Sequence, residues 1–63
     1  MTMTEIEIWR DGDAVLTQRG SVYCFDNTVD EPIYGRSAND LLERDAMGII
    51  PSVALWTLNN QEL

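Results

Sequence analysis

Two groups of carboxylates and one thiol are the residues of this chain whose chemistry could go beyond packing. Asp11 and Asp13 flank Gly12, while Asp26, Asp30 and Glu31 fall in one short polar stretch. Calcium takes six to eight oxygens from a shaped loop, and neither group has the spacing of an EF-hand. Asp-Gly is instead a hairpin signal, because glycine accepts the positive φ that a tight β-turn needs. The turn reading of Asp11-Gly12-Asp13 therefore outweighs a metal site. Cys24 is the only cysteine, so no disulfide forms within the chain, and one thiolate without histidine cannot make a tetrahedral zinc site. Between Tyr23 and Phe25 it reads as a small buried apolar residue, with no cationic neighbour to lower its pKa.

Nucleophilic catalysis requires a base beside the nucleophile, and the chain has no histidine and no lysine. Paired carboxylates that cleave sugars need a sizeable cleft, which 63 residues are poorly able to build. No glycine loop of the phosphate-cradling type is present. The expectation is a protein that binds without catalysing, and that carries no cofactor or metal.

Charge then becomes the informative property. Eleven acidic residues against four arginines give a net charge of −7. A basic footprint for nucleic acid is absent, and an anionic membrane surface would repel the chain. Such a charge serves solubility, docking onto a basic protein surface, or occupation of a nucleic-acid channel in place of the polyanion. The candidate partner-binding residues are Glu5, Glu7, Trp9, Asp11 and Asp13 on a first hairpin, with Asp26, Asp30 and Glu31 in a following loop. If hairpin and loop share one side they form a negative strip; otherwise the carboxylates are scattered. Trp9 has two readings, an exposed interface anchor or a second small core beneath the 26–36 loop.

The elements that must position these residues follow from local pattern. Glu5-Ile6-Glu7-Ile8-Trp9 alternates with period 2, which predicts a strand with Ile6 and Ile8 inward and Glu5, Glu7 and Trp9 outward. Ala14–Thr17 returns as a second strand, and Ser21–Phe25 is rich in strand formers. Pro32 favours extended chain before it, with Ile33 and Tyr34 brief and extended. Ser37 caps a helix and Asp40 takes the reciprocal place of a capping box. Ala38, Leu41, Leu42 and Ala46 share one helical face, and Gly48 ends the helix in a left-handed conformation with Ile49 closing it. Ser52–Leu58, apolar on both faces, reads as a final central strand with Trp56 in the core. The expected fold is α+β: a single domain over 1–63, with a small antiparallel sheet of three to four strands and one helix packed on it, in the order β-β-(β)-α-β.

A chain of this size buries only about 60% of its unfolded surface, so packing or association must reinforce it. No apolar run approaches the ~20 residues that span a bilayer, and the first residues do not read as a signal peptide. The expected location is the cytoplasm, with Cys24 reduced.

From Pro32-Ile33-Tyr34, through the cap at Ser37, the acidic residue at Asp40, Leu42-Glu43, Pro51 and Thr57, the chain resembles the small RNA-polymerase inhibitor of T7-like phages. The resemblance covers residues 32–57. It implies a β-β-α-β fold, a phage-type regulator in the host cytoplasm, and bacterial RNA polymerase as partner. The family's basic residues on the last strand correspond here to Leu58 and Asn60, so its grip on an acidic surface of the polymerase does not carry over. The expected function is that of a small acidic inhibitor of a host nucleic-acid enzyme, RNA polymerase first. The alternatives are a nucleic-acid mimic that blocks a defence nuclease, and a structural or assembly homodimer joined through an edge strand.

Overall fold

The alternation at the start of the chain does form a strand, β1 (Glu5–Asp11), which turns through Gly12 at φ +61° into β2 (Ala14–Arg19). Gly20, at φ +62°, makes the second tight turn into β3 (Val22–Asp26), and β4 (Ile33–Gly35) follows a longer loop. Positive φ at both turns is the conformation that glycine adopts without strain. The fold is given by a computed structural model that describes residues 4–61. All neighbouring strands are antiparallel and lie in sequence order, β1-β2-β3-β4, a four-stranded meander.

Two helices complete the fold, α1 (Ala38–Arg44) and α2 (Ser52–Gln61). At the start of α1 the Ser37 Oγ accepts from the Asp40 N–H at 3.0 Å. The Asp40 carboxylate accepts in return from the Arg36 N–H at 2.9 Å and from Arg44 Nε at 3.0 Å. The reciprocal bond thus goes to the residue before the cap and not to the cap's own N–H. These bonds, the Arg36 amide first and the Arg44 side chain second, hold the Asp40 carboxyl below its ordinary range. A group depressed on folding stabilises the fold above its unfolded pKa, and that contribution is lost as pH falls through the folded value. Asp40→Asn is therefore expected to lower the melting temperature at neutral pH, with the difference from wild type shrinking below about pH 4. Melting curves at pH 7 and pH 3 check this, and a constant difference would remove the carboxylate from the account.

α1 is a turn shorter than its sequence pattern predicts. It ends at Arg44, and Gly48, although left-handed at φ +66°, lies in the connection, where its N–H donates to the Asp45 carbonyl. The Asp45 carboxylate accepts from the N–H groups of Ile49 and Ile50, both at 2.9 Å. This double acceptance draws the chain away from the helix axis before Gly48. Leu42, grouped with the buried face by spacing, is 57% exposed, whereas Ala38 and Leu41 are buried.

The larger correction concerns residues 52–58, which form a helix and not a central strand. Pro51 directly precedes this helix, and its carbonyl accepts from the Ala54 and Leu55 N–H groups. Proline suits the first turn, where its missing N–H costs nothing. Ala54 and Leu58, four residues apart, are fully buried, while Trp56 points off that face and is 66% exposed. Trp56 is thus a surface residue and not part of the core.

The core is built from Leu16, Tyr23 and Phe25 of the sheet, Ala38 and Leu41 of α1, Ile50, and Ala54 and Leu58 of α2. Both helices therefore cover the same face of the sheet. The α+β class and the small antiparallel sheet are as the sequence predicts; the second helix replaces the last strand. No described helix is long and apolar enough to cross a membrane.

Candidate functional site

Register decides which side chains share a surface. Glu7 pairs with Thr17, and the next pair is Trp9 with Leu16, so β1 carries a bulge at Ile8. An extra residue in one strand shifts every later side chain to the opposite face. The simple alternation through Glu5, Glu7 and Trp9 is broken at that point. Trp9 turns to the helix-covered face, where its ring lies 6.5 Å from that of Phe25 at an interplanar angle of 27°. Ile8 packs on the core too, while Ile6, expected inside, is 51% exposed. Trp9 is consequently partly buried packing of the main core, apart from the carboxylates with which it was grouped.

Glu5 and Glu7 lie on the open face of the sheet and have local partners. Glu5 Oε2 is 3.1 Å from Arg19 Nη2, and Glu7 Oε1 is 2.6 Å from Arg10 Nε. Exposed pairs of this kind contribute about 0–1 kcal/mol to stability, but each places an arginine charge beside its carboxylate. The same face holds Val15, Thr17, Val22, Cys24 and Tyr34 around a shallow depression. Cys24 sits there half-buried; burial pushes its thiol pKa up, a hydrogen bond with Tyr34 pulls it down, and Asp26 and Glu5 push it up again. The net effect keeps the thiol protonated and weakly nucleophilic.

The remaining five candidates converge. In an antiparallel meander, the β1–β2 turn and the β3–β4 loop leave from the same end of the sheet. Asp11 pairs with Ala14 beside that turn, and Val15 pairs with Asp26 at the top of β3. Asp11, Asp13, Asp26, Asp30 and Glu31 are thus brought to one end. The loop is organised by its own side chains. The Asp26 carboxylate accepts from the Thr28 N–H at 2.8 Å, and Asn27 Oδ1 accepts from the Val29 and Asp30 N–H groups at 3.0 and 2.8 Å. Asn27 Nδ2 also donates to Asp30 at 3.0 Å. Thr28 takes a left-handed φ of +66° to complete the bend.

These bonds leave Val29 86% exposed, facing solvent beside the α1–α2 connection. Between loop and connection lies a groove of about 460 Å³ whose apolar lining is Val29, Ile33, Ala46, Met47 and Ile49. Asp30, Glu31 and Asp45 rim it. The cation that lines it, Arg44, is held by Asp40. The sequence candidates include Asp30 and Glu31 of this groove but not Asp45 or the apolar lining. Its signal was Val29 standing alone in a polar loop, with Ala46-Met47 falling beyond a helix that ends early. Among the described residues, no three histidine, cysteine, aspartate or glutamate side chains come together in a way that would hold a metal ion.

Comparison with family models, with curated proteins and with solved structures gave no match to this chain.

Proposed function

We propose that the protein is a small acidic binding protein that docks the carboxylate-rich end of its sheet onto a basic protein surface, as an inhibitor of a nucleic-acid enzyme. Bacterial RNA polymerase is the first candidate partner, and a nuclease complex the second. The observation that carries this reading is the placement of Asp11, Asp13, Asp26, Asp30 and Glu31 at one end of the sheet, where Asp30 and Glu31 also line an apolar groove. Carboxylates steer a basic surface toward the site and set its register, while an apolar anchor supplies short-range affinity. Lysines and arginines that ordinarily face nucleic acid would meet aspartate and glutamate here. An apolar side chain between two of those cations would enter the groove between Val29 and Met47.

Binding to purified bacterial RNA polymerase tests the first candidate directly. Wild type is expected to bind, with affinity falling about tenfold or more between low and physiological salt. The double variant Asp30→Lys/Glu31→Lys is expected to associate at least about tenfold more slowly, because rim charges act mainly on the association rate. The same measurement on Glu5→Gln/Glu7→Gln should change little, since those carboxylates are ion-paired on another face. Absence of binding eliminates the polymerase. Binding that ignores both salt and the Asp30/Glu31 reversal eliminates the electrostatic mechanism.

A further inference from the structure

The charged side chains of the groove are not equally free. Asp30 Oδ2 accepts from Asn27 Nδ2 at 3.0 Å, which ties that carboxylate to its own loop. The Asp45 carboxylate accepts from the backbone N–H groups of Ile49 and Ile50, both at 2.9 Å, and so holds the α1–α2 connection on the other side. Arg44, the cation of the lining, is bound to Asp40 at 3.0 Å. Glu31 alone among the charged residues of the groove makes no hydrogen bond and no ion pair with the described residues. It is also the exposed carboxylate of the three, whereas Asp30 and Asp45 are half-buried.

These bonds divide the work between the carboxylates. To take a partner's cation, Asp30 or Asp45 must share or release a bond that shapes the groove, and an N–H left without its acceptor carries a desolvation penalty. Glu31 gives up only water. Both of its oxygens are open, and it lines the groove together with the apolar Val29, Ile33 and Met47. Arginine matches that setting better than lysine. Its planar guanidinium offers two parallel N–H donors to the two oxygens of one carboxylate, and it sheds water more readily beside apolar surface than an ammonium does. We infer that Glu31 is the specificity-determining residue of the groove, the one that receives an arginine of the partner in a bidentate pair, while Asp30 and Asp45 are positioning residues. The inference rests on the reading of this groove as a docking site and names the group that the site selects.

Titration of the isotope-labelled protein with the tripeptide acetyl-Arg-Leu-Arg-amide, followed by amide NMR shifts, tests this. Salt is held at about 150 mM, where fields beyond ~8 Å are screened and direct contacts remain. Shifts are expected at Val29, Glu31 and Met47, with a Kd of about 1 mM or below. Glu31→Gln is expected to raise that Kd about threefold to fivefold, the upper part of the range for an exposed ion pair, and to leave the melting temperature unchanged. Asp30→Asn, whose amide oxygen still accepts from Asn27, is expected to change the Kd by less than about 1.5-fold. Asp45→Asn is expected to lower the melting temperature, because one of its two N–H partners loses an acceptor. Acetyl-Lys-Leu-Lys-amide is expected to bind about threefold more weakly than the arginine peptide. Absence of shifts at Glu31 up to about 5 mM peptide overturns the inference. So does a Glu31→Gln effect no larger than that of Asp30→Asn, or equal binding of the lysine peptide. The docking reading stands or falls separately. Polymerase that binds wild type and Glu31→Gln alike removes Glu31 and leaves the acidic end in place, whereas peptide binding at Glu31 without polymerase binding supports the inference and removes the polymerase.

Discussion

Phe25→Ala is expected to leave the chain largely unfolded at room temperature. Phe25 is 1% exposed and lies at the centre of the sheet's helix-covered face, paired with Leu16 on one side and Ile33 on the other. It also stacks with Trp9, so its removal strips a partner from a second aromatic ring. Truncating a buried phenylalanine to alanine costs about 3–5 kcal/mol, through lost transfer energy and the cavity left behind. A domain of this size has a total stability of roughly 3–5 kcal/mol. The substitution therefore removes most or all of it. Circular dichroism and urea titration are the measurements, with Phe25→Leu, nearer in volume, expected to stay folded at a cost of about 1 kcal/mol. A cooperative transition for Phe25→Ala close to that of wild type would show that the core collapses onto the gap.

Gly35→Ala is the second substitution with a large expected effect, for a reason of space and not of backbone conformation. A Cβ built at Gly35 meets Leu41 Cγ, Cδ2 and backbone nitrogen, all at 3.1 Å. The leucine side chain can rotate away, but the backbone nitrogen belongs to the first turn of α1, where Leu41 N–H donates to the Ser37 carbonyl at 3.0 Å. The clash forces α1 off β4 or bends β4 itself, at a cost of about 1–3 kcal/mol. That corresponds to a fall in melting temperature of roughly 5–20 °C for a domain of this size. A stability equal to or above wild type would mean that β4 and α1 separate without penalty.

The sheet was legible in the sequence because each of its turns has a local signature. Asp-Gly and Arg-Gly mark the two tight turns, and Pro32 precedes the short β4. The start of α1 was legible for the same reason, in Ser37 and Asp40. Failure came where apolar runs had to be assigned a period. Ser52–Leu58 is apolar on nearly every side, and such a run does not distinguish a buried strand from a helix. What decides it is Pro51 at the first turn and Ala54 and Leu58 at helical spacing, together with the space that the open meander leaves on one face. The resemblance to the phage inhibitor pointed the wrong way here, since it implied a strand at the position of α2.

The candidate site was legible in composition and only partly in geometry. Turn and loop carboxylates converge because antiparallel connectivity sends alternate connections to the same end, a consequence that follows once the strands are counted correctly. Trp9 was misplaced because a bulge leaves no clear mark in single-sequence alternation; Glu7, Ile8 and Trp9 continue the pattern by residue type while the backbone breaks it. The groove between Val29 and Met47 required two failures of the helix pattern to be seen together, the early stop of α1 and the exposure of its connection.

The sequential strand order has a further consequence, for the route to the folded state. Every strand pairs with its neighbour in the chain, so each ladder closes a short loop and no distant segment has to be found before the sheet can grow. Loop-closure entropy is then met in small steps, each followed at once by the contacts that offset it. Chains whose contacts are local in sequence fold faster than those whose sheets need distant crossovers. The hydrophobic face of the meander is accordingly bare only briefly before α1 and α2 settle on it, which limits the time in which its strands could pair with those of another unfolded copy.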